Sequence, residues 1–245
     1  MNEGSTFAEK ILLFNEKLSF ETPYLPNGLK IINPFKGEKK EETREISKVF
    51  YEKYYNDTRT RRLILGSSPA RRGSAITGIP FEDAFYLQQE TGILINGYYI
   101  SKSSNEFLFD VIREYGGRAK FYADFYMNFV CPLGIVKKNL KGNEVNCNYY
   151  ENAKLRDLLY PFIVQTLQDQ IAFGIDASVC YCIGSGENYN FLCKVNERHS
   201  LFGKIIPLEH PRFIMQYNSK RKDEFVGKYL DALCNYKDGG ICALR

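Results

Sequence analysis

The stretch Arg61 to Phe81, RRLILGSSPARRGSAITGIPF, constrains the fold more than any other part of the chain. Leu63, Ile64 and Leu65 form a short apolar run of the kind a strand buried on both faces needs. Gly66 ends that run and opens a loop of small residues with two adjacent arginines, Arg71 and Arg72. Gly73, Gly78 and Pro80 punctuate the exit, with Phe81 just behind them. A strand that feeds such a loop places backbone at the carboxyl end of a sheet, where open α/β folds bind ligands. The stretch is therefore read as the first wall of an active site.

The remaining apolar patterns supply the other layers. Thr6 to Phe20 and Glu42 to Tyr55 carry apolar residues at helical spacing, with the extended segment Lys30 to Phe35 between them. Glu82 to Gly92 holds a short helix. Ser103 and Glu106 form a capping-box signature ahead of Phe107, Leu108, Val111, Ile112 and Tyr115, and Gly116-Gly117 ends that helix. Lys120 to Pro132 has strand propensity throughout, and Lys137 to Asn152 is polar enough to read as a surface excursion. Leu155 to Phe173 is a long helix that starts or kinks at Pro161. Ala177 to Ile183 is a buried strand ending at Gly184, with Ser185 capping the next helix. Lys204 to Leu208 is a third strand leading into Glu209-His210-Pro211, and Lys220 to Leu233 is the last helix. Strands alternating with helices argue for a three-layer α/β/α fold with a central, mainly parallel sheet. A chain of 245 residues is expected to form a single domain, here with an N-terminal helical extension over about residues 1–44.

Composition excludes several function classes. Seven cysteines in no ligand-like spacing, and only two histidines, argue against a zinc or iron–sulfur site; reduced thiols of a cytoplasmic protein are expected, with no metal and no cofactor. The first residues lack the basic and apolar regions of a signal peptide, and no apolar run reaches the roughly 20 residues of a membrane span. The net charge of +4 permits nucleic-acid binding without demanding it, and the 36 tyrosines and phenylalanines serve either as core or as stacking surfaces for bases. A serine nucleophile is not expected, because GSSPA is not G-x-S-x-G and no triad order emerges.

Parallel strands put their carboxyl ends on one side, so the loop after Leu65, Asn128 and His210 converge on one cleft in this reading. The chemistry suggested is an amide that reads a planar base edge, a histidine that stabilises negative charge, and a loop that holds water. These residues resemble the uracil-DNA glycosylase superfamily, most closely its single-strand-selective monofunctional branch. The family's Gly-Met-Asn-Pro-Gly and Thr-Gly-Val-Pro-Phe stand here as Gly66-Ser67-Ser68-Pro69-Ala70 and Thr77-Gly78-Ile79-Pro80-Phe81. Its His-Asn-Leu-Cys-Pro-Leu resembles YMNFVCPL around Asn128, with one residue more between Asn and Cys. His210-Pro211-Arg212 matches the second motif, and Ser101 to Gly117 resembles the family's Ser-Gly-x-x-Phe-Trp region. The resemblance spans roughly residues 45 to 235, most of a typical domain length.

The resemblance implies a monofunctional glycosylase acting in base-excision repair on uracil, or on other deaminated bases, in single- or double-stranded DNA. Phe81 would stack on the flipped base beside Gly66 and Ser67, Asn128 would bind its edge, and His210 would donate to the departing O2. Arg71, Arg72 and Arg212 would contact phosphates or fill the gap left by the base. Ser68 stands where the family has the asparagine that holds the attacking water, a departure that puts the rate and the preferred base in question. No metal or cofactor is implied, and a monomer is expected, cytoplasmic and free of membrane. Bland alternatives stand beside these roles: His210 as a strand-end residue, Phe81 as core, Ser68 as a loop cap, Arg71 and Arg72 as a solvated turn. Glu82 and Asp83 read as helix N-terminal charges and His199 as a solvent-facing residue without a role. A glycosylase-like module that binds DNA without turnover is the second reading. A phosphate-binding loop at Gly66 to Gly73 is a third, weakened by the missing P-loop lysine.

Overall fold

The structure, a computed structural model, describes residues 4–22, 24–26, 28–82, 84–95 and 102–234, with side chains from residue 105 in the last segment. In chain order the elements are α1 (Phe7–Lys17), β1 (Leu29–Ile32), α2 (Lys40–Tyr55), β2 (Arg61–Gly66), the one-turn α3 (Ser74–Thr77) and α4 (Ala84–Thr91). Then follow α5 (Lys102–Glu114), α6 (Arg118–Asp124), β3 (Phe125–Phe129), β4 (Gly134–Lys138) and β5 (Glu144–Asn146). The chain continues through α7 (Ala153–Ile171), β6 (Ile175–Ile183), α8 (Glu187–His199), β7 (Lys204–Leu208), α9 (Pro211–Tyr217) and α10 (Lys222–Cys234).

Four strands form a wholly parallel sheet in the order β3-β2-β6-β7. The Leu63-Ile64-Leu65 run is its interior, covered on both faces. Tyr126 shares the face of Leu63 and meets the rings of Phe7, Tyr55 and Phe173. On the other face Ile64 and Met127 pack against Leu108 and Ile112 of α5 and Leu233 of α10. This is the three-layer α/β/α arrangement. The N-terminal stretch contributes Phe7, Ile11 and Phe14 to the same apolar core, so α1 helps build one of the outer layers.

Arg61 anchors the base of β2. It is 1% exposed, yet its guanidinium makes a bidentate pair with Asp57 (2.8 and 3.0 Å) and donates to the carbonyls of Tyr122 (2.7 Å), Arg59 and Tyr54. The plane lies between the rings of Phe7 and Tyr55, each 4.8 Å away. A buried charge is tolerated when its donors are taken up in this way. The contact joins α1, α2, β2 and α6 in one place.

Four local expectations are corrected. Lys120 to Pro132 is not strand throughout: it begins in α6, and only Phe125–Phe129 pairs with β2. Gly116 and Gly117, both at positive φ, turn the chain, and Tyr122 and Arg118 then bind Glu82, a long-range anchor that overrides local propensity. Lys137 to Asn152 contains the end of β4 and β5, which with β1 form a second, antiparallel sheet; Cys147 and Tyr149 are buried there. Its charged, solvated face hid the pattern. α7 starts at Ala153, capped by Asn152, whose side chain accepts from the Leu155 N–H, and runs through the exposed Pro161. α8 is preceded by Gly186, with no side-chain cap from Ser185. The Ser103 cap lies on side chains outside the described residues.

α3 ends at Gly78, which has φ of +72° and would place a Cβ 2.6 Å from Phe35 Cζ and 2.9 Å from Thr43 Cγ2. Both the backbone sign and the space demand glycine. Gly78→Ala is expected to destabilise the protein by about 2 kcal/mol or more. Urea unfolding monitored by circular dichroism checks this; an unchanged midpoint would show that the loop absorbs the methyl.

Candidate active site

Because the large sheet is parallel, the carboxyl ends of all four strands lie along one edge. There the loop after β2 is pinned to β3: Val130 N–H donates to Gly66 O (2.8 Å) and Cys131 N–H to Ser67 O (3.0 Å). A Cβ on Gly66 would sit 2.5 Å from Phe81 Cζ and 3.0 Å from Phe129 Cδ1, so the missing side chain is what lets these rings close on the strand end. Phe81 and Phe129 stack with centroids 5.0 Å apart and planes 28° from parallel. Phe81 has φ of +62°, an uncommon state for a bulky residue that the surroundings must enforce. Its N–H donates to Ser74 Oγ (3.2 Å). The next residue, Glu82, is 3% exposed and accepts from Tyr122 Oη and from Arg118 Nη2 (2.9 Å). Arg118 also pairs with Glu90 and lies over Phe109, so α4, α5 and α6 all hold the Phe81 turn in place.

Asn128 is buried at the end of β3. Its Oδ1 accepts from Phe129 N–H (2.9 Å) and its Nδ2 donates to Tyr126 Oη (2.8 Å). These partners fix which way the amide faces. One N–H and one oxygen lone pair remain, the complement of a planar base edge carrying a carbonyl beside an N–H. Asn128 also borders a cavity with room for a single water, walled by Asn15 of α1, Leu18 just after it and Tyr51 of α2.

His210 follows β7 and caps α9. Its Nδ1 accepts the Arg212 N–H (3.1 Å), so in the neutral ring the proton sits on Nε2, a free donor. The residue is exposed to solvent, and the protein atoms packed around its ring, with the Arg212 charge, push its pKa down from 6.5 toward about 4. The backbone before it is tied down by Tyr229 Oη, which donates to Glu209 O (2.5 Å).

The two serines of the loop differ. Ser67 Oγ donates to Asn148 Oδ1 (2.9 Å). Ser68 Oγ is buried without a well-formed hydrogen bond and faces Cys131, whose thiol burial pushes up to about 12. The loop's far side is held by Asn146 Oδ1, which accepts from Arg71 N–H (2.9 Å). Asn146 and Asn148 were missed by sequence reasoning; the run of asparagines in Gly142 to Asn152 was the only local signal. Arg72 and Arg212 are exposed and Arg71 is half-buried. His210 to Lys222 carries four basic side chains and no acidic one. Phe213 and Tyr217 of α9, 49% and 69% exposed, hold their rings 5.7 Å apart and were also missed. His199, bonded to Tyr160 (2.9 Å), sits at the end of α8, which leads away from this edge by roughly 20 Å. Among the described residues, no group of three or more His, Cys, Asp or Glu could hold a metal ion, and no helix is long and apolar enough to cross a membrane.

The His210 shift has a definite sign. Between pH 6.5 and about 4 the unfolded chain binds a proton at this ring that the folded chain does not, so stability falls as the pH drops through that window and levels off below it. Thermal melts should show wild type losing stability relative to His210→Gln as the pH falls from 6.5 to about 4; parallel curves would contradict the lowered pKa. A ring-nitrogen NMR titration should show His210 neutral at pH 6, and an inflection near 6.5 would overturn the assignment.

Residues 52–234 match the family model described as Uracil DNA glycosylase superfamily. No curated protein matches the chain. Among solved structures, the chain is similar to that described as "The crystal structure of WT Pedobacter heparinus SMUG2", with 43% identity, a TM-score of 0.87, and coverage of 93% of this chain and 96% of that one. With the strand-end motifs at the same crest, the chain belongs to the uracil-DNA glycosylase superfamily, in its SMUG-like branch.

Proposed function

We propose that this protein is a monofunctional DNA glycosylase that hydrolyses the N-glycosidic bond of uracil, and of other deaminated bases, as the first step of base-excision repair, with residues 1–245 acting as one domain. The observation that carries the reading is His210 at the strand-end edge, whose Nδ1 accepts the Arg212 N–H so that Nε2 is the ring nitrogen left to carry a proton. As the bond breaks, the sugar becomes oxocarbenium-like and negative charge gathers on the departing base. A neutral donor aimed at that oxygen stabilises the charge without having to give up its proton.

The base reaches such a site only when turned out of the strand. Phe81, held at its unusual backbone angle, serves as the stacking platform, and the remaining donor and acceptor of Asn128 bind the base edge. The Gly66-Ser67-Ser68 turn supplies the floor next to the sugar. Arg71, Arg72 and Arg212 take phosphates, where a guanidinium pairs well with anionic oxygens. Phe213 and Tyr217 offer apolar rings to unpaired bases beside the lesion. The buried hydroxyl of Ser68 supports a second reading, in which the fold binds damaged DNA without turnover.

End-labelled single- and double-stranded oligonucleotides bearing one uracil decide between these. After alkali, wild type is expected to leave a cut at the uracil, and His210→Ala to lower the single-turnover rate by about 10²–10³-fold. Phe81→Ala should weaken base release more than overall DNA affinity. Absence of cleavage at uracil and at other deaminated bases, with protein in excess, would overturn the enzyme reading in favour of the binding module.

A further inference from the structure

Water that replaces a departing base needs no strong base to activate it, because the sugar is already cationic; it needs to be held in line. The Ser67-Ser68 turn is the obvious place, and its two hydroxyls are unequally equipped. Ser68 Oγ is buried beside Cys131, out of contact with solvent. Ser67 Oγ has committed its proton to Asn148 Oδ1 at 2.9 Å, and the Tyr150 hydroxyl beside it competes for one lone pair, so Ser67 offers a water the other. The Asn148 amide is itself half used: Oδ1 accepts from Ser67, and Nδ2 donates to Glu151 Oε1 at 3.2 Å. One lone pair and one N–H remain on it, beside the Ser67 oxygen.

The amide is also rigid. Asn148 N–H donates to the same Glu151 oxygen (2.8 Å), and Lys137 Nζ holds the other one at 2.6 Å. Burial pulls the Glu151 carboxyl up, but the bonds from Lys137 and the Asn148 backbone bring it below the ordinary carboxylate value, so it stays an anchoring anion. Two residues earlier, Asn146 grips the backbone of Arg71. The end of β5 and the residues just after it are thus clamped to the motif loop at two points, from a sheet that sequence reading did not find.

We propose that Asn148 is a catalytic residue, which together with Ser67 holds the attacking water for the glycosylase reaction. The inference rests on the glycosylase reading above. In the step, the water oxygen forms a bond to C1′ as the C1′–N bond breaks, and the bonding pair leaves with the base. The surplus water proton passes to solvent or to the expelled base anion. Asn148 stays neutral throughout: its free lone pair and that of Ser67 accept from the water and orient its oxygen.

The test uses the full chain and a single-stranded uracil oligonucleotide under single-turnover conditions, with affinity measured on the same oligonucleotide carrying non-cleavable 2′-fluoro-deoxyuridine. Asn148→Ala is expected to lose about 10²-fold in rate while affinity stays within about threefold. Asn143→Ala, in the neighbouring exposed turn, should match wild type. Asn148→Asp should keep part of the rate and acquire a rise between about pH 5 and 7, as a carboxyl beside Glu151 ionises late; a merely structural role would not produce that limb. A rate for Asn148→Ala within about threefold of wild type, or an Asn148→Asp profile parallel to wild type, would overturn the proposal while leaving the glycosylase reading intact. If Asn148→Ala does not fold, the Asn148→Asp profile and the rate of Ser67→Ala decide it. Wild type that releases no base at all would overturn the glycosylase reading, and this role with it.

Discussion

The strand end at Gly66 has no side chain, and the site follows from that. Any Cβ there would collide with Phe81 and crowd Phe129, so both rings rest on the crest only because the position is glycine. Phe81 in turn is held at positive φ, a state that costs on the order of 1–2 kcal/mol for an ordinary residue. Ser74 takes its N–H, Phe129 takes its ring, and Glu82 locks the next residue into a buried network with Tyr122 and Arg118. Each of these contacts is worth about 1 kcal/mol or more when buried, so together they offset the strain and fix the ring's direction. The result is an aromatic face prepared before any ligand arrives.

The rest of the architecture explains why Gly66, Asn128 and His210, distant in sequence, share one edge. In the order β3-β2-β6-β7, every strand runs the same way, and every chain exit leaves from the same side. The opposite side is closed by Arg61, whose guanidinium is fully engaged between Phe7 and Tyr55. Rigidity is therefore concentrated at the base of the sheet and polar loops at its crest. The small antiparallel sheet adds a support from outside: it delivers Asn146 and Asn148 to the loop that the large sheet begins.

Much of this was legible from residues alone, and the exceptions share a cause. The Leu63-Ile64-Leu65 run, the helices ending at Tyr55 and Gly116, and the strand before Gly184 carry local signals strong enough to stand alone: apolar runs, helical spacing and glycine stops. Asn128 and His210 were singled out as polar residues at strand ends, and they and Phe81 took their roles from the resemblance to the glycosylase motifs. The α6 turn failed because its aromatic sequence favours a strand, while the bonds from Tyr122 and Arg118 to Glu82 lie some 36 to 40 residues away and are invisible locally. β5 failed because a three-residue strand with polar neighbours has no readable period. Asn148 failed for a related reason: it meets Ser67, 81 positions earlier. Contacts between distant polar residues leave no trace in local pattern, and functional sites are made of such contacts.

The central claim is that this crest receives a base turned out of DNA. The most direct measurement is a crystal structure with a single-stranded oligonucleotide carrying 2′-fluoro-deoxyuridine, whose glycosidic bond resists cleavage. The account predicts the uracil ring stacked on Phe81, its edge on the free donor and acceptor of Asn128, and its O2 within hydrogen-bond distance of His210 Nε2. A uracil lying elsewhere on the surface, away from Phe81 and Asn128 and with His210 making no contact to the base, would contradict it.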